Sequence, residues 1–139
     1  MRKYLFHGKK VDNGEWVEGY YVYDDSGQTT EEPAAYIHHL NTHPCGWCLI
    51  PYKVIPETVG QYTGLTDKNG TKIFEGDIIL WGLAPCVAKY DTENARFMFY
   101  ENGKYLKNGF NKDTMEMKEI IGNIHDNPEL LKGGANNDQ

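Results

Sequence analysis

The chain has 139 residues, 40% hydrophobic and 13% aromatic, which is enough apolar material for one domain-sized core. Its formal net charge of -6 sets 14 scattered Lys and Arg against 20 Asp and Glu, which argues against a protein that grips nucleic acid by displacing counterions. No run approaches the roughly 18 apolar residues of a membrane span. The opening MRKYLFHGKK lacks the apolar centre of a secretory signal, and three cysteines, an odd number, speak against a disulfide framework. The expectation is a cytoplasmic protein with no membrane partner.

The first strong element is WVEGYYVY, residues 16–23, rich in aromatic and β-branched side chains and stopped by the turn-like DDSG. Alternation puts Val17, Tyr21 and Tyr23 on one face and Trp16, Tyr20 and Val22 on the other. Apolar groups on both faces predict a central strand or one covered on both sides. From residue 24 to 32 the chain turns polar and is expected to loop out. Its acidic Asp24, Asp25, Glu31 and Glu32 read as a solvated loop rather than a dock for a basic partner. Tyr36 and Ile37 suggest a short strand.

The most legible segment is VGQYTGLTDKNGTKIFEGDIILW, residues 59–81. Asp67-Lys68-Asn69-Gly70 has the chemistry of a tight hairpin turn, with the aspartate accepting local amides and the glycine taking positive φ. QYTGL and TKIFEG then read as paired strands. Gly76 breaks the run and Asp77 opens a new strand, DIILW. Pro85 is expected at an edge or in a connection. Residues 86–90 and 96–100 make two more strands around a polar turn at residues 91–94. Residues 117–124 alternate as a closing strand that ends at Asn127-Pro128. Brief helices fit residues 56–59 and 111–116. The tail, residues 132–139, KGGANNDQ, has the composition of a disordered segment. The result is a mainly β protein with little helix, a small barrel or sandwich rather than a doubly wound α/β fold.

HHLNTHPCGWCLIP, residues 38–51, raises a chemical question, because two cysteines at C-x-x-C spacing stand beside three histidines. A thioredoxin-type centre needs its first thiol at a helix N-terminus; Pro51 alone does not decide the matter, but Pro56 follows soon after and the surrounding strands are not in a βαβ arrangement. A zinc site would take Cys45 and Cys48 with His38, His39 or His43, but the second ligand pair at the usual downstream distance is missing. The reading adopted is a surface loop, within a variable segment of about residues 24–53, whose Trp47 and cysteines pack against a neighbour.

Other catalytic constellations are thin. Ser26 is the one serine in the chain and lies in an acidic turn. Glu57, Glu75 and Asp77 are candidate carboxylates, but Glu75-Gly76-Asp77 falls at a strand junction, where acidic side chains commonly satisfy backbone amides. His125 reads as a strand-end residue. No phosphate-binding glycine loop or H-E-x-x-H pattern occurs. No catalytic, cofactor-binding or metal residue is assigned.

GQYTGLTDKNGTKIFEGDII and EIIGNIHDNPELL, with LFHGKKVDNGEWVEGYYV and VIPETVGQYTGL, resemble the YopX family of phage and prophage proteins. The resemblance spans most of residues 4–131 as one β-rich domain. It implies an SH3-like barrel with extra strands and loops, a setting in the bacterial host's cytoplasm and a homo-oligomeric assembly. It carries no catalytic residues. Its shared glycines read as fold residues, Gly64 and Gly70 for turns, Gly76 for the strand junction and Gly122 before the closing strand. The expected role is a non-enzymatic interaction module for a host or phage protein. The alternative is a nucleic-acid-binding barrel in which Trp81, Tyr90, Phe97 or Phe99 stacks on bases.

Overall fold

A computed structural model describes residues 2–28, 32–44, 46–101, 103–106 and 110–131. The chain is mainly β, built as two antiparallel sheets. It divides into two compact units, Met1–Tyr62 and Thr63–Gln139, where the expectation is one domain over residues 1–131. In chain order the strands are β1 (Phe6–Lys9), β2 (Trp16–Asp24), β3 (Ala34–His43), β4 (Gly46–Val54), β5 (Gly60–Thr66), β6 (Lys72–Phe74), β7 (Asp77–Trp81), β8 (Ala84–Asp91), β9 (Arg96–Glu101), β10 (Lys104–Tyr105) and β11 (Ile120–Asn123). The six-stranded sheet runs β4-β3-β2-β1-β5-β6 and the five-stranded sheet β10-β9-β8-β7-β11. Both are open, with no closed barrel among the described residues, where the resemblance implies an SH3-like barrel.

In the first unit β2 is central, as its composition predicts, but it serves two partners in succession. Its first half pairs with β1, from Lys9↔Trp16 to Phe6↔Gly19, and its second half with β3, from Tyr20↔His38 to Asp24↔Ala34. Gly19 sits at the changeover. A Cβ there would lie 2.2 Å from the His38 carbonyl oxygen, so only glycine lets the strands approach this closely. One face of the sheet forms the core of Val17, Ala35, Ile37 and Val54, with Phe6, Tyr21, Tyr52 and Val59 packed on it. A 3-10 helix, Pro56–Thr58, follows β4 where a brief helix is predicted. The Thr58 hydroxyl donates to the Ile55 carbonyl at 2.6 Å and accepts the Lys9 amide at 2.9 Å, fixing that turn to β1.

The cysteine segment is not a loop. β3 and β4 pair in unbroken register from Ala35↔Val54 to His43↔Gly46, so most of residues 34–54 is a long hairpin. Pro51 is compatible with it because β4 is an edge strand, where a missing amide N–H interrupts no ladder on the open side.

The second unit has its own core of Ile73, Ile79, Cys86, Ala88, Phe99 and Met115, flanked by Leu65, Trp81, Leu106, Phe110 and Ile120. The Asp67–Gly70 turn forms as predicted: Asp67 Oδ1 accepts the amides of Asn69 at 2.9 Å and Thr71 at 3.0 Å, and Gly70 takes a φ of 79°. Helix α1 (Lys112–Met115) is capped by Asn111, whose side chain accepts the Thr114 amide at 2.9 Å. Three expectations shift. Pro85 lies inside β8, a central strand, one residue from its start and opposite Leu80, where the ladder is only beginning. Gly64 lies within β5 rather than in a turn, and Gly122 within β11, at a register shift between Ile120 and Gly122, rather than before the strand. Residues 132–139 fall outside the described residues.

Candidate functional site

The outward face of the β3–β4 hairpin carries the molecule's most conspicuous surface chemistry. Strand alternation puts Leu40 and Thr42 of β3 on the same side as Trp47 and Leu49 of β4, and the register places Leu40 against Leu49 and Thr42 against Trp47. Tyr20, paired with His38, adds its ring from β2. These five side chains line an open groove of about 370 Å³. Among the described residues no charged side chain lines it. Trp47 is 71% exposed, Tyr20 51%, Leu49 46% and Leu40 45%, and Val22 further along β2 is 44% exposed. Large apolar side chains left in water beside one another mark an interaction surface far more often than single exposed ones do.

The ribbon beneath the groove is also thinly supported. β2 pairs with β3 only as far as His38, whereas β3 and β4 continue together to His43 and Gly46. The end of the hairpin is therefore a two-stranded ribbon, an arrangement of marginal stability by itself. The expectation that Trp47 packs against a neighbour is corrected, since its indole is the most exposed group of the groove.

The residues singled out for metal or thiol chemistry are dispersed by the same alternation. His38 and His39 are adjacent on β3 and so point to opposite faces. His39 Nδ1 lies 2.7 Å from the Glu18 carbonyl, which can only accept, so this nitrogen carries the proton. Cys48 is exposed and pairs with Asn41 across the hairpin. Cys45 and the side chain of His43 lie outside the described residues. Among the described residues no group of three or more His, Cys, Asp or Glu is placed to hold a metal ion. The third cysteine, Cys86, is buried in the second core, and burial pushes its thiol up to about 11.

The carboxylates and the serine hold backbone. Asp77 is buried at the start of β7 and its Oδ2 accepts the Phe74 amide at 2.8 Å, the junction role predicted for it. Burial raises its carboxyl to about 7, with the Phe74 hydrogen bond opposing and the Asp67 charge adding to the rise. Ser26 donates its hydroxyl to Asp24 Oδ1 at 2.6 Å within the exposed turn, and that bond holds the Asp24 carboxyl below its usual range. Glu57 is exposed in the 3-10 helix, and Glu75 and His125 are half-buried. The His125 amide donates to Asn123 Oδ1 at 2.9 Å, in the turn after β11.

Of the aromatic residues considered for base stacking, Phe99 is 1% exposed and belongs to the core. Phe97 is half-buried, edge-to-face with the exposed Tyr90 at 5.2 Å between centroids. Trp81, also half-buried, carries the Lys118 ammonium over its ring at 4.7 Å. The groove at Tyr20, Leu40, Trp47 and Leu49 is the feature that sequence reasoning misses. Its signal is the period-two spacing of Leu40 with Thr42 and of Trp47 with Leu49, obscured by the intervening histidines, cysteines and prolines.

Fold and surface together define a small, open-sheeted, mainly β protein with an exposed apolar sheet face on the β3–β4 hairpin. A family model described as "YopX protein" matches residues 6–132, and the chain belongs to that family. Among solved structures it is similar to protein EF1440 from Enterococcus faecalis, with a TM-score of 0.60 and 23% identity over 94% of this chain and 99% of that one. That likeness extends to the fold. Among curated proteins none matches. No helix among the described residues is long and apolar enough to cross a membrane.

Proposed function

We propose that this protein is a non-enzymatic interaction module, encoded by a phage or prophage, that engages another protein in the cytoplasm of the bacterial host. The observation that carries this reading is the uncharged groove of Tyr20, Leu40, Thr42, Trp47 and Leu49 on the outer face of the hairpin. Tyrosine and tryptophan are the residues most often found at the energetic centre of protein interfaces, and a groove free of charge excludes nothing apolar from docking. A protein-binding role is also consistent with carboxylates that hold turns and strand junctions, as Asp67 and Asp77 do. Any kinship of either sheet to SH3-like barrels rests on the family likeness.

The nucleic-acid reading has a weaker basis. It draws on the Lys118–Trp81 and Lys89–Tyr100 contacts, at 4.7 and 4.5 Å, against a net charge of -6. The test is affinity capture of the tagged protein from host lysate, divided into nuclease-treated and untreated halves, for the wild type and Leu49→Glu. A protein retained after nuclease and lost with Leu49→Glu supports the proposal. Capture of nucleic acid alone, abolished at moderate salt, would replace it.

A further inference from the structure

We infer that the groove on the β3–β4 hairpin is occupied by the same groove of a second copy of this chain, giving a two-fold dimer. This rests on the reading of the face as a protein-binding surface and names its occupant.

Three observations lead to a second copy. The first is that knob and groove lie on one surface. Trp47 stands 71% exposed at the rim, and beside it Tyr20, Leu40 and Leu49 leave an open groove of about 370 Å³, roomy enough for an indole. A two-fold contact requires each surface to carry both the inserted group and its receptor, because residue i meets j and j meets i. This face meets that requirement with one side chain and one groove.

The second is charge. Each copy carries a formal net charge of -6, so two copies repel except where the contact is free of like charges. Among the described residues the lining is Tyr20, Leu40, Thr42, Trp47 and Leu49, none of them ionised, so they set no charge against its own twin.

The third is area. With about 150–250 Å² for a whole aromatic side chain, the uncovered parts of Tyr20, Val22, Leu40, Trp47 and Leu49 amount to roughly 500 Å² per copy. Covered completely, the two faces together bury about 1,000 Å², the size that a specific interface should clear. The contact would also brace the two-stranded end of the hairpin, which β2 does not reach.

The experiment is sedimentation equilibrium of the full chain, with reductant present so that Cys45 and Cys48 cannot cross-link copies. Wild type, Leu40→Glu, Trp47→Glu and Leu83→Glu are compared, each checked for unchanged far-UV circular dichroism and melting temperature. Leu83 is 96% exposed in the turn after β7 and serves as the control. A wild-type and Leu83→Glu dimer is expected, with the dissociation constant raised at least about 30-fold by each groove variant. A dimer unaffected by Leu40→Glu and Trp47→Glu assigns the contact to another surface and overturns the inference. A wild type that stays monomeric to about 100 μM overturns it as well. The broader interaction reading then survives only if lysate capture depends on Leu49, and falls if it does not.

Discussion

Asp67 Oδ2 accepts the backbone amide of Ile120 at 3.1 Å, across 53 positions of sequence, while Oδ1 holds the Asn69 and Thr71 amides of its own turn. One carboxylate thereby closes the β5–β6 hairpin and pins the closing strand β11 to it. The neighbouring backbone bond from the Lys68 amide to the Lys118 carbonyl, 2.8 Å, runs between the same two segments. Asp67 is 4% exposed, so its three amide partners have little water to turn to when it is removed.

Asp67→Ala is therefore expected to destabilise the protein by about 2–4 kcal/mol in urea denaturation, the scale of losing charge-assisted bonds to buried amides. Asp67→Asn, which keeps a single acceptor oxygen, is expected to cost less than Asp67→Ala. Equal losses for the two would mean that the single acceptor oxygen asparagine keeps contributes little, whichever amides it holds.

Asp77 makes stability depend on pH in the opposite sense to most carboxylates. Its folded value of about 7 lies above the ordinary 3.8, so between those limits the folded chain holds a proton that the unfolded chain has released. Its stabilising contribution is full below about pH 4 and is lost as pH rises towards 7 and just beyond. On the order of 4 kcal/mol of stability should disappear over this window, and Asp77→Asn, which still accepts the Phe74 amide, should flatten that slope. Denaturation curves at pH 5 and pH 8 for both proteins settle it, and parallel losses in the two would assign the slope to other groups.

Two glycines differ in what their substitution would strike. A Cβ at Gly122 meets the side chain of Asn127, 2.5 Å from Oδ1, the same oxygen that accepts the Asn123 amide at 3.2 Å. Asn127 can swing aside at the loss of that bond. At Gly19 the obstacle is the His38 carbonyl itself. Gly122→Ala is expected to cost about 1–3 kcal/mol and Gly19→Ala about 3 kcal/mol or more, with the order Gly19 above Gly122 the decisive outcome of thermal melts.

The cysteines should separate by accessibility. In a Cys45→Ala background, native protein is expected to take up one maleimide, at the exposed Cys48, and a second only on unfolding. Cys86 is fully buried, with its thiol raised to about 11, so rapid native labelling there would contradict the packing of the second core.

Elements governed by local chemistry were readable in the chain. The Asp67–Gly70 turn and the brief helix within residues 111–116 depend on side chains that act within four residues of themselves, the break at Gly76 on a positive φ that glycine takes freely, and strands β2, β6, β7 and β9 carry dense β-forming composition. The β3–β4 hairpin was not readable, because Asn41, Pro44, Gly46 and Pro51 are poor strand residues taken singly. What makes this segment β is its partner: Ile37 is buried beside Tyr52, and the exposed Leu40 stands opposite Leu49. β1 escaped for a related reason, being four residues long and held from both sides by β2 and β5. The groove inherits that illegibility, since its lining becomes contiguous only once the register is set.

The changeover at Gly19 has a consequence for the history of this chain. Every single-nucleotide missense change in a glycine codon introduces a side chain with a Cβ, and here that atom would fall 2.2 Å from a backbone carbonyl that cannot rotate away. Only synonymous changes of that codon leave the contact intact. The point where β2 changes partners can therefore take another residue only if β3 is rebuilt in the same step.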